Sequence, residues 1–233
     1  TSSVKGPYLI LGIIILAITA VFIFTKLPDA KEDQEGERRS VFSALRHKNV
    51  MWAVIAQFFY IGAQVSVLSF LVMFATDVAG IAPADAKYYS GAAGLAFMLG
   101  RFIGTFFMRY IAPTKLLLVY AFVAILLTFV VIYGKGIATV YALVGIAFFM
   151  SIMFPTIFAV GVEGIGAETK SASSLIVMSI VGGAAVPPLL GLLSDTIGSF
   201  QLAYYVVLIC FAVVALFAWS NKQSEITEAS GGH

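Results

Sequence analysis

The chain has 233 residues, of which 61% are apolar and only 11% charged, with a net charge of +2 and a mean hydropathy of +1.00. Soluble domains average about half apolar and a quarter charged, and here the polar residues gather between apolar runs instead of spreading over a surface, so the composition excludes a soluble globular domain and places the chain in a lipid bilayer. The small net charge leaves no footprint for a nucleic-acid partner.

Seven apolar runs are long enough to cross about 30 Å of hydrocarbon; they lie near residues 8–24, 50–74, 88–108, 115–133, 140–162, 174–193 and 203–219, numbered here as spans one to seven. Backbone groups in lipid must be bonded within their own segment, which makes all seven helices. Ten Lys and Arg residues fall on one side of these spans, six of them in the loop between spans one and two, against Lys5, Lys87 and Lys135 on the other. The positive-inside bias then puts the richer side in the cytoplasm, the first residue outside and the last inside. The chain begins TSSVKGPY without Met, and no small-residue cleavage site follows span one, so the sequence reads as part of something longer.

The loop after span one is acidic in its first half, a solvated linker, and ends in RSVFSALRH, which is expected as a short amphipathic helix. Span two carries Asn49, Gln57, Tyr60 and Gln64 within an arc of roughly 80° at 100° per residue, a polar stripe on an otherwise apolar helix. Such amides either bond neighbouring helices, for about 1 kcal/mol or less each, or line a wet cavity. Span three has a small residue at every fourth position, Ala92, Ala96, Gly100 and Gly104, a ridge that lets another backbone approach closely. It also holds the one intramembrane charge, Arg101, for which snorkelling, bonding to the carbonyls of a helix C-terminus and a direct role toward a substrate are all open.

Span five contains FMSIMFPTIFAVGVEG, where Pro155 removes one helix hydrogen bond and predicts a kink. Span six places Ser171, Ser174, Met178 and Gly182 on one side and is expected to leave regular geometry at Gly182-Gly183 and at Pro187-Pro188, as a bending point or as a static kink. Spans one, four and seven are almost wholly apolar and are expected to face lipid on most sides, whereas spans two, three, five and six face something wet. Cys210, inside span seven, is a small packing residue. His47 and His233 have no Cys, Asp or Glu at ligand spacing and read as solvated, so neither a metal nor a cofactor is expected. Asp77, Glu163, Glu168 and Asp195 all lie at span ends or in loops, which leaves no proton carrier near the midplane.

A shift of 87 residues pairs span two with five, three with six and four with seven; Gly104 then meets Gly191, Gln64 meets Ser151 and Arg101 meets Pro188. Three helices is an odd number, so the two copies run through the membrane in opposite senses, the inverted-repeat arrangement of alternating-access transporters.

The stretches FFYIGAQVSVLSFLV, GRFIGTFFMRYIAPTKLL, FMSIMFPTIFAVGVEGIGAETKSASSLIVMSIVGG and PPLLGLLSDTIG resemble the C-terminal half of the fucose permease and glucose/galactose transporter group of the major facilitator superfamily. The resemblance covers residues 41–219. It implies an all-α membrane protein of seven transmembrane helices: the sixth helix, then the C-terminal six-helix bundle, a 3+3 inverted repeat, of a twelve-helix transporter. Residues 1–26 would end a missing N-terminal half, 27–47 would form a cytoplasmic linker, 48–220 the bundle and 221–233 a cytoplasmic tail. The superfamily's loop pattern G-x-x-x-D-R-x-G falls on residues 104–111, where Gly104 and Arg109 match but Met108 replaces the aspartate and Ile111 the last glycine, so the latch of that motif lacks its carboxylate here.

The resemblance further implies uptake of a monosaccharide of the fucose, glucose or galactose class across a bacterial inner membrane, coupled to an ion gradient, protons in the first place and sodium otherwise. The carboxylates that carry the proton would lie in the missing half. Gln57, Tyr60 and Gln64 would line one wall of a central cavity, facing Phe148, Ser151 and Phe154 of span five and Ser174 and Met178 of span six. Amides can donate to and accept from sugar hydroxyls, and aromatic rings pack on the C–H faces of a sugar. Gly100, Arg101, Gly104, Arg109, Pro155, Pro187 and Pro188 would serve packing and gating. An exporter of apolar drugs keeps the fold and changes the cargo, and a seven-helix sensor is a third reading. With no nucleophile–base pair, metal cluster or phosphate loop, an enzyme is not expected.

Overall fold

The computed structural model describes residues 2–24 and 41–231, and the chain divides into two units, residues 1–39 and 40–233. Of the first, the structure describes helix α1 (Ser2–Phe24), the expected span one. Its described side chains from Leu9 to Ile18 are largely exposed, and Thr19 donates to the Ile15 carbonyl, 2.8 Å away, one turn back. Most of the expected linker, residues 25–40, lies outside the described residues.

The second unit opens with a 3-10 turn (Val41–Arg46) where the amphipathic helix was expected. Then follow α2 (Lys48–Asp77), α3 (Pro83–Phe107), α4 (Pro113–Tyr133), α5 (Ile137–Met150), α6 (Met153–Val162), α7 (Thr169–Met178), α8 (Gly182–Ile197), α9 (Phe200–Ala203) and α10 (Tyr205–Gly231). Short helices pair end to end, α5 with α6, α7 with α8 and α9 with α10, so that among the described residues six helical segments are long and apolar enough to cross a membrane, matching spans two to seven. Pro83 and Pro113 open α3 and α4, where a missing N–H costs nothing. Gly198, at φ +70°, ends α8 in the left-handed conformation with its N–H on the Ser194 carbonyl. Helix α10 runs on to Gly231, through most of the stretch expected as a tail.

The two triplets of helices repeat. Adding 87 carries Pro113, the first residue of α4, to Phe200, the first residue of α9, and carries α2 onto α5–α6 and α3 onto α7–α8 within a few residues. Packing obeys the same exchange: α3 lies on α5 as α8 lies on α2, α4 lies on α5 as α10 lies on α2, and α4 and α10 lie on each other. A pseudo-two-fold axis therefore relates the triplets, as an inverted repeat requires.

This arrangement divides the helices by how far they are covered. Spans four and seven bury Leu117, Ala121, Ala124 and Thr128 on one and Val207, Cys210, Phe211 and Val214 on the other, mostly against each other and the central helices, and leave Phe122, Leu126 and Phe129 on one and Ile209, Leu216 and Trp219 on the other exposed. The least covered are α3, with Leu95, Met98, Leu99, Phe102, Ile103 and Phe106 exposed, and the α7–α8 segment, with Val177, Met178, Val181, Leu189 and Leu192 exposed.

Close backbone approach needs small residues. On α3 the buried positions are Ala86, Ala93, Gly100 and Gly104, so the ridge turns toward its partner only at its two glycines, and Ala92 is exposed. A Cβ at Gly100 would stand 2.3 Å from the Phe148 carbonyl oxygen, and one at Gly182 would stand 2.0 Å from that of Phe58. Gly182→Ala is therefore expected to push α8 off α2 and cost about 1–3 kcal/mol as overpacking, read as a lower thermal unfolding midpoint in detergent. Gly91→Ala, with nothing within 4 Å, should leave that midpoint unchanged; equal effects at the two sites would contradict the α2–α8 crossing described here.

Candidate functional site

The site is built around the interruption of span five. Pro155 has no N–H, so the carbonyl of Ser151, four residues earlier, has no helical donor. Helix α5 ends at Met150, residues 151–152 form a turn and α6 begins at Met153. The freed oxygen is taken by Arg101 of α3, whose guanidinium donates twice, from Nε at 3.2 Å and from Nη2 at 3.1 Å. Of the roles open to this arginine, bonding to the carbonyls of a helix C-terminus is the one its geometry displays. Phe97, one turn back, lies under the guanidinium at 5.1 Å from ring centroid to Cζ.

Gly100 and Gly104 make this reach possible. A Cβ at Gly104 would stand 2.4 Å from Cγ2 of Ile152, so both glycines face the interruption directly. From the other side, the Tyr60 hydroxyl of α2 donates to the Met150 carbonyl at 3.0 Å, and its ring meets Phe154 edge-on at 6.5 Å. Ser151 Oγ donates to the Phe148 carbonyl at 2.7 Å, and Thr156 gives both its N–H and its Oγ1 to the Ile152 carbonyl. Four carbonyls at the interruption thus receive a side-chain donor.

The expected cavity residues fall into three groups. Tyr60 and Ser151 are buried in the interruption itself, with Phe154 half-buried beside Tyr60 and Phe148 half-buried against Tyr120 and Phe149. Gln57 is fully buried one turn before Tyr60, and neither end of its amide has a hydrogen-bond partner. Gln64 is half-buried, and Asn49 is exposed at the start of α2, so the polar stripe of span two passes from the surface into the interior and partly out again. Ser174 and Met178 stand on the exposed face of α7, Ser174 bonded to the Lys170 carbonyl, and no hydrogen bond or ring contact among the described residues joins them to the interruption.

Span six leaves α geometry earlier than expected. The irregular turn is a 3-10 segment at Ser179–Val181, while Gly182 and Gly183 begin α8 and Pro187 and Pro188 sit inside it, the helix continuing through both. The break ends directly before Gly182, where a Cβ would meet the Phe58 carbonyl of α2. Arg109 follows α3 at the exposed, basic end of the unit.

Other partners were not legible beforehand. His47, read as solvated, sets Nε2 2.7 Å from Oε2 of Glu168, whose Oε1 accepts from Ser43 at 3.1 Å; the clasp joins the start of α2 and the 3-10 turn to the α6–α7 connection. At the opposite end of the unit, Gln201 Nε2 donates to the Val131 and Gly134 carbonyls that close α4, and the hydroxyls of Tyr133 and Tyr205 bond each other. Tyr204 is buried against Phe74 and Phe200 with its hydroxyl unpartnered. Among the described residues no group of three His, Cys, Asp or Glu could hold a metal ion.

Comparison with known proteins bears on this arrangement. The sequence pattern of the Major Facilitator Superfamily matches residues 2–180. The L-fucose-proton symporter of Escherichia coli (strain K12) is 36% identical over 229 residues, covering 95% of this chain and 52% of that protein. The glucose/galactose transporter of Brucella abortus biovar 1 (strain 9-941) is 38% identical over 225 residues, covering 95% of this chain and 54% of that protein. A crystal structure of a Major Facilitator Superfamily transporter, FucP, in the outward conformation superposes with a TM-score of 0.84 at 35% identity, over 94% of this chain and 55% of that one. The chain spans about half the length of the relatives it matches.

The unpartnered amide and the bonded phenol on α2 make opposite contributions to stability. An unmet buried polar group costs about 1–3 kcal/mol and a made hydrogen bond contributes about 1 kcal/mol. Gln57→Leu is therefore expected to raise the thermal unfolding midpoint in detergent and Tyr60→Phe to lower it. A Gln57→Leu variant that unfolds earlier than the parent would mean that the amide is bonded after all.

Proposed function

The chain belongs to the Major Facilitator Superfamily, and on that premise we propose that it forms the C-terminal half of a monosaccharide symporter, which takes up a sugar of the fucose, glucose or galactose class with an ion, protons in the first place, by alternating access. The observation that carries this reading is the extent of the match: about 95% of the chain aligns with an L-fucose-proton symporter and with a glucose/galactose transporter. The six-helix unit would be one of two bundles that rock about the sugar. Its partner is the half that precedes it in the relatives, and the sparsely covered faces of α3 and α7–α8 are where that half has apolar surface to cover. The basic end of the unit, with Arg46, Lys48, Arg109 and Lys115, would face the cytoplasm.

Half-buried Gln64, Phe148 and Phe154 would meet the sugar, and the unpartnered amide of Gln57 would receive a hydroxyl, or a water carried with it, once the interruption of span five opens. A buried amide with both ends unmet is costly in an apolar helix bundle, and a polar guest removes that cost. Ser174 and Met178 on the open face of α7 would contact the sugar from the third side, and bending at Pro155 and along the Pro187-Pro188 stretch would move the gates. No carboxylate stands near the middle of spans two to seven, so the coupling proton would be carried by the other half.

The test is uptake of labelled fucose, glucose and galactose by cells expressing the full-length transporter that carries this half. Uptake of one of these sugars, abolished by a protonophore and indifferent to sodium replacement, is expected. Absence of uptake of all three in protein that reaches the membrane, with efflux of lipophilic cations in its place, would overturn the sugar reading. Gln64→Leu is expected to raise the KM for the sugar about fivefold, the value of one hydrogen bond of about 1 kcal/mol, with little change in the amount of protein in the membrane; an unchanged KM would remove Gln64 from the site.

A further inference from the structure

We infer that Arg101 is a positioning residue that replaces the backbone N–H deleted by Pro155: it closes the α5–α6 interruption from a neighbouring helix and so makes the shape of span five depend on where α3 stands. The interruption is a small departure from a helix. Ser151 (φ −57°, ψ −34°) and Ile152 (φ −97°, ψ −7°) both stay in the right-handed region, so the Ser151 carbonyl still points along the helix toward residue 155, where proline has nothing to donate. In hydrocarbon an unmet carbonyl costs several kcal/mol, and Arg101 meets it with two N–H groups.

A bond supplied from within a helix moves with the helix. One supplied by α3 is lost as soon as α3 slides along α5 by more than the tolerance of a hydrogen bond, a few tenths of an ångström to about 1 Å. The bare faces of Gly100 and Gly104 hold α3 against the Phe148 carbonyl and Ile152, so the guanidinium arrives at a fixed height. Tyr60 meets the adjacent Met150 carbonyl from α2, and Phe154, the second residue of α6, stands edge-on to that phenol. Release by Arg101 would leave the turn at residues 151–152 tied to α2 and no longer to α3, and let Phe154 move with it. The proline and the arginine are therefore two parts of one device, and neither is useful without the other.

This dependence gives a rescue experiment in the full-length transporter, with the thermal unfolding midpoint in detergent as a readout that does not rest on the sugar-transport reading, and sugar uptake as one that does. Arg101→Leu, which carries no donor, is expected to lower the midpoint by several degrees and maximal uptake about tenfold, the scale of a lost charge-assisted bond. Pro155→Ala supplies an N–H to Ser151. In the Pro155→Ala background the Arg101→Leu change should cost less than about a third of what it costs alone, the coupling expected of residues in one hydrogen-bond network. Arg101→Lys keeps the charge but not the planar fork, and it should also lose stability and be rescued in the same way. Should Pro155→Ala itself arrest uptake by stiffening the joint, non-additive midpoints still support the inference. Additive midpoints overturn it. Full activity of Arg101→Lys beside an unrescued Arg101→Leu would also overturn it, by showing that the arginine acts through its charge on some other group. Where Arg101→Leu alone fails to accumulate in the membrane, restored accumulation of the double variant supports the inference and continued absence overturns it.

Discussion

A carbonyl oxygen in the hydrocarbon region has no water to turn to, and this requirement shapes the centre of the molecule. Pro155 strips the Ser151 carbonyl of its donor in the middle of a membrane-crossing helix, and the chain answers with a guanidinium from α3. A charged side chain inside a membrane is itself expensive, so each of the two residues would be a liability alone. Together they convert a missing bond within one helix into a bond between two.

The same requirement explains why the neighbouring residues are what they are. Tyr60, Ser151 and Thr156 each bring a hydroxyl to a carbonyl within a turn of the interruption, and Gly100 and Gly104 have no side chain that would hold the helices apart. At the far end of the unit Gln201 performs the corresponding service for the last carbonyls of α4. Small residues at crossings and side-chain donors at helix ends take over the work that hydrophobic burial does in water, because lipid chains compete for apolar surface as well as leucine does.

The two-fold exchange of the triplets decides which surfaces remain. Each triplet sends its first helix into the centre and packs its third helix against that of the other, which leaves the second, α3 or α7–α8, as the one with a wide uncovered face. Arg101 and Met178 lie on those second helices, and the interruption of span five is bonded by Arg101 of α3 and by Tyr60 of α2. The donor that closes the central interruption therefore stands on a helix with an open face, the face a second bundle would cover in the proposed half-transporter.

Hydrophobic length and charge position were enough to read six of the membrane-crossing helices, and the 87-residue shift was enough to read the repeat, because span length is dictated by bilayer thickness and an odd-numbered repeat can only be inverted. The kink at Pro155 was legible as well, since proline's lack of an N–H is local chemistry. Where the freed carbonyl would find its donor was not, because Arg101 stands fifty residues away and reaches it only when α3 crosses α5 at two glycines. For the same reason the polar stripe on span two could not be divided beforehand into Tyr60 bonded, Gln57 buried without a partner and Gln64 half-open; helical periodicity says which residues share a face, and only the neighbouring helices say what that face meets. The irregularity of span six stands at Ser179–Val181, directly before the expected Gly182-Gly183 point, and not at the proline pair, through which the helix continues. What the sequence alone determined is therefore every feature governed by the bilayer and by single-residue chemistry; what the tertiary structure decided is the pairing of donors and acceptors across helices, which depends on distances that no local pattern encodes.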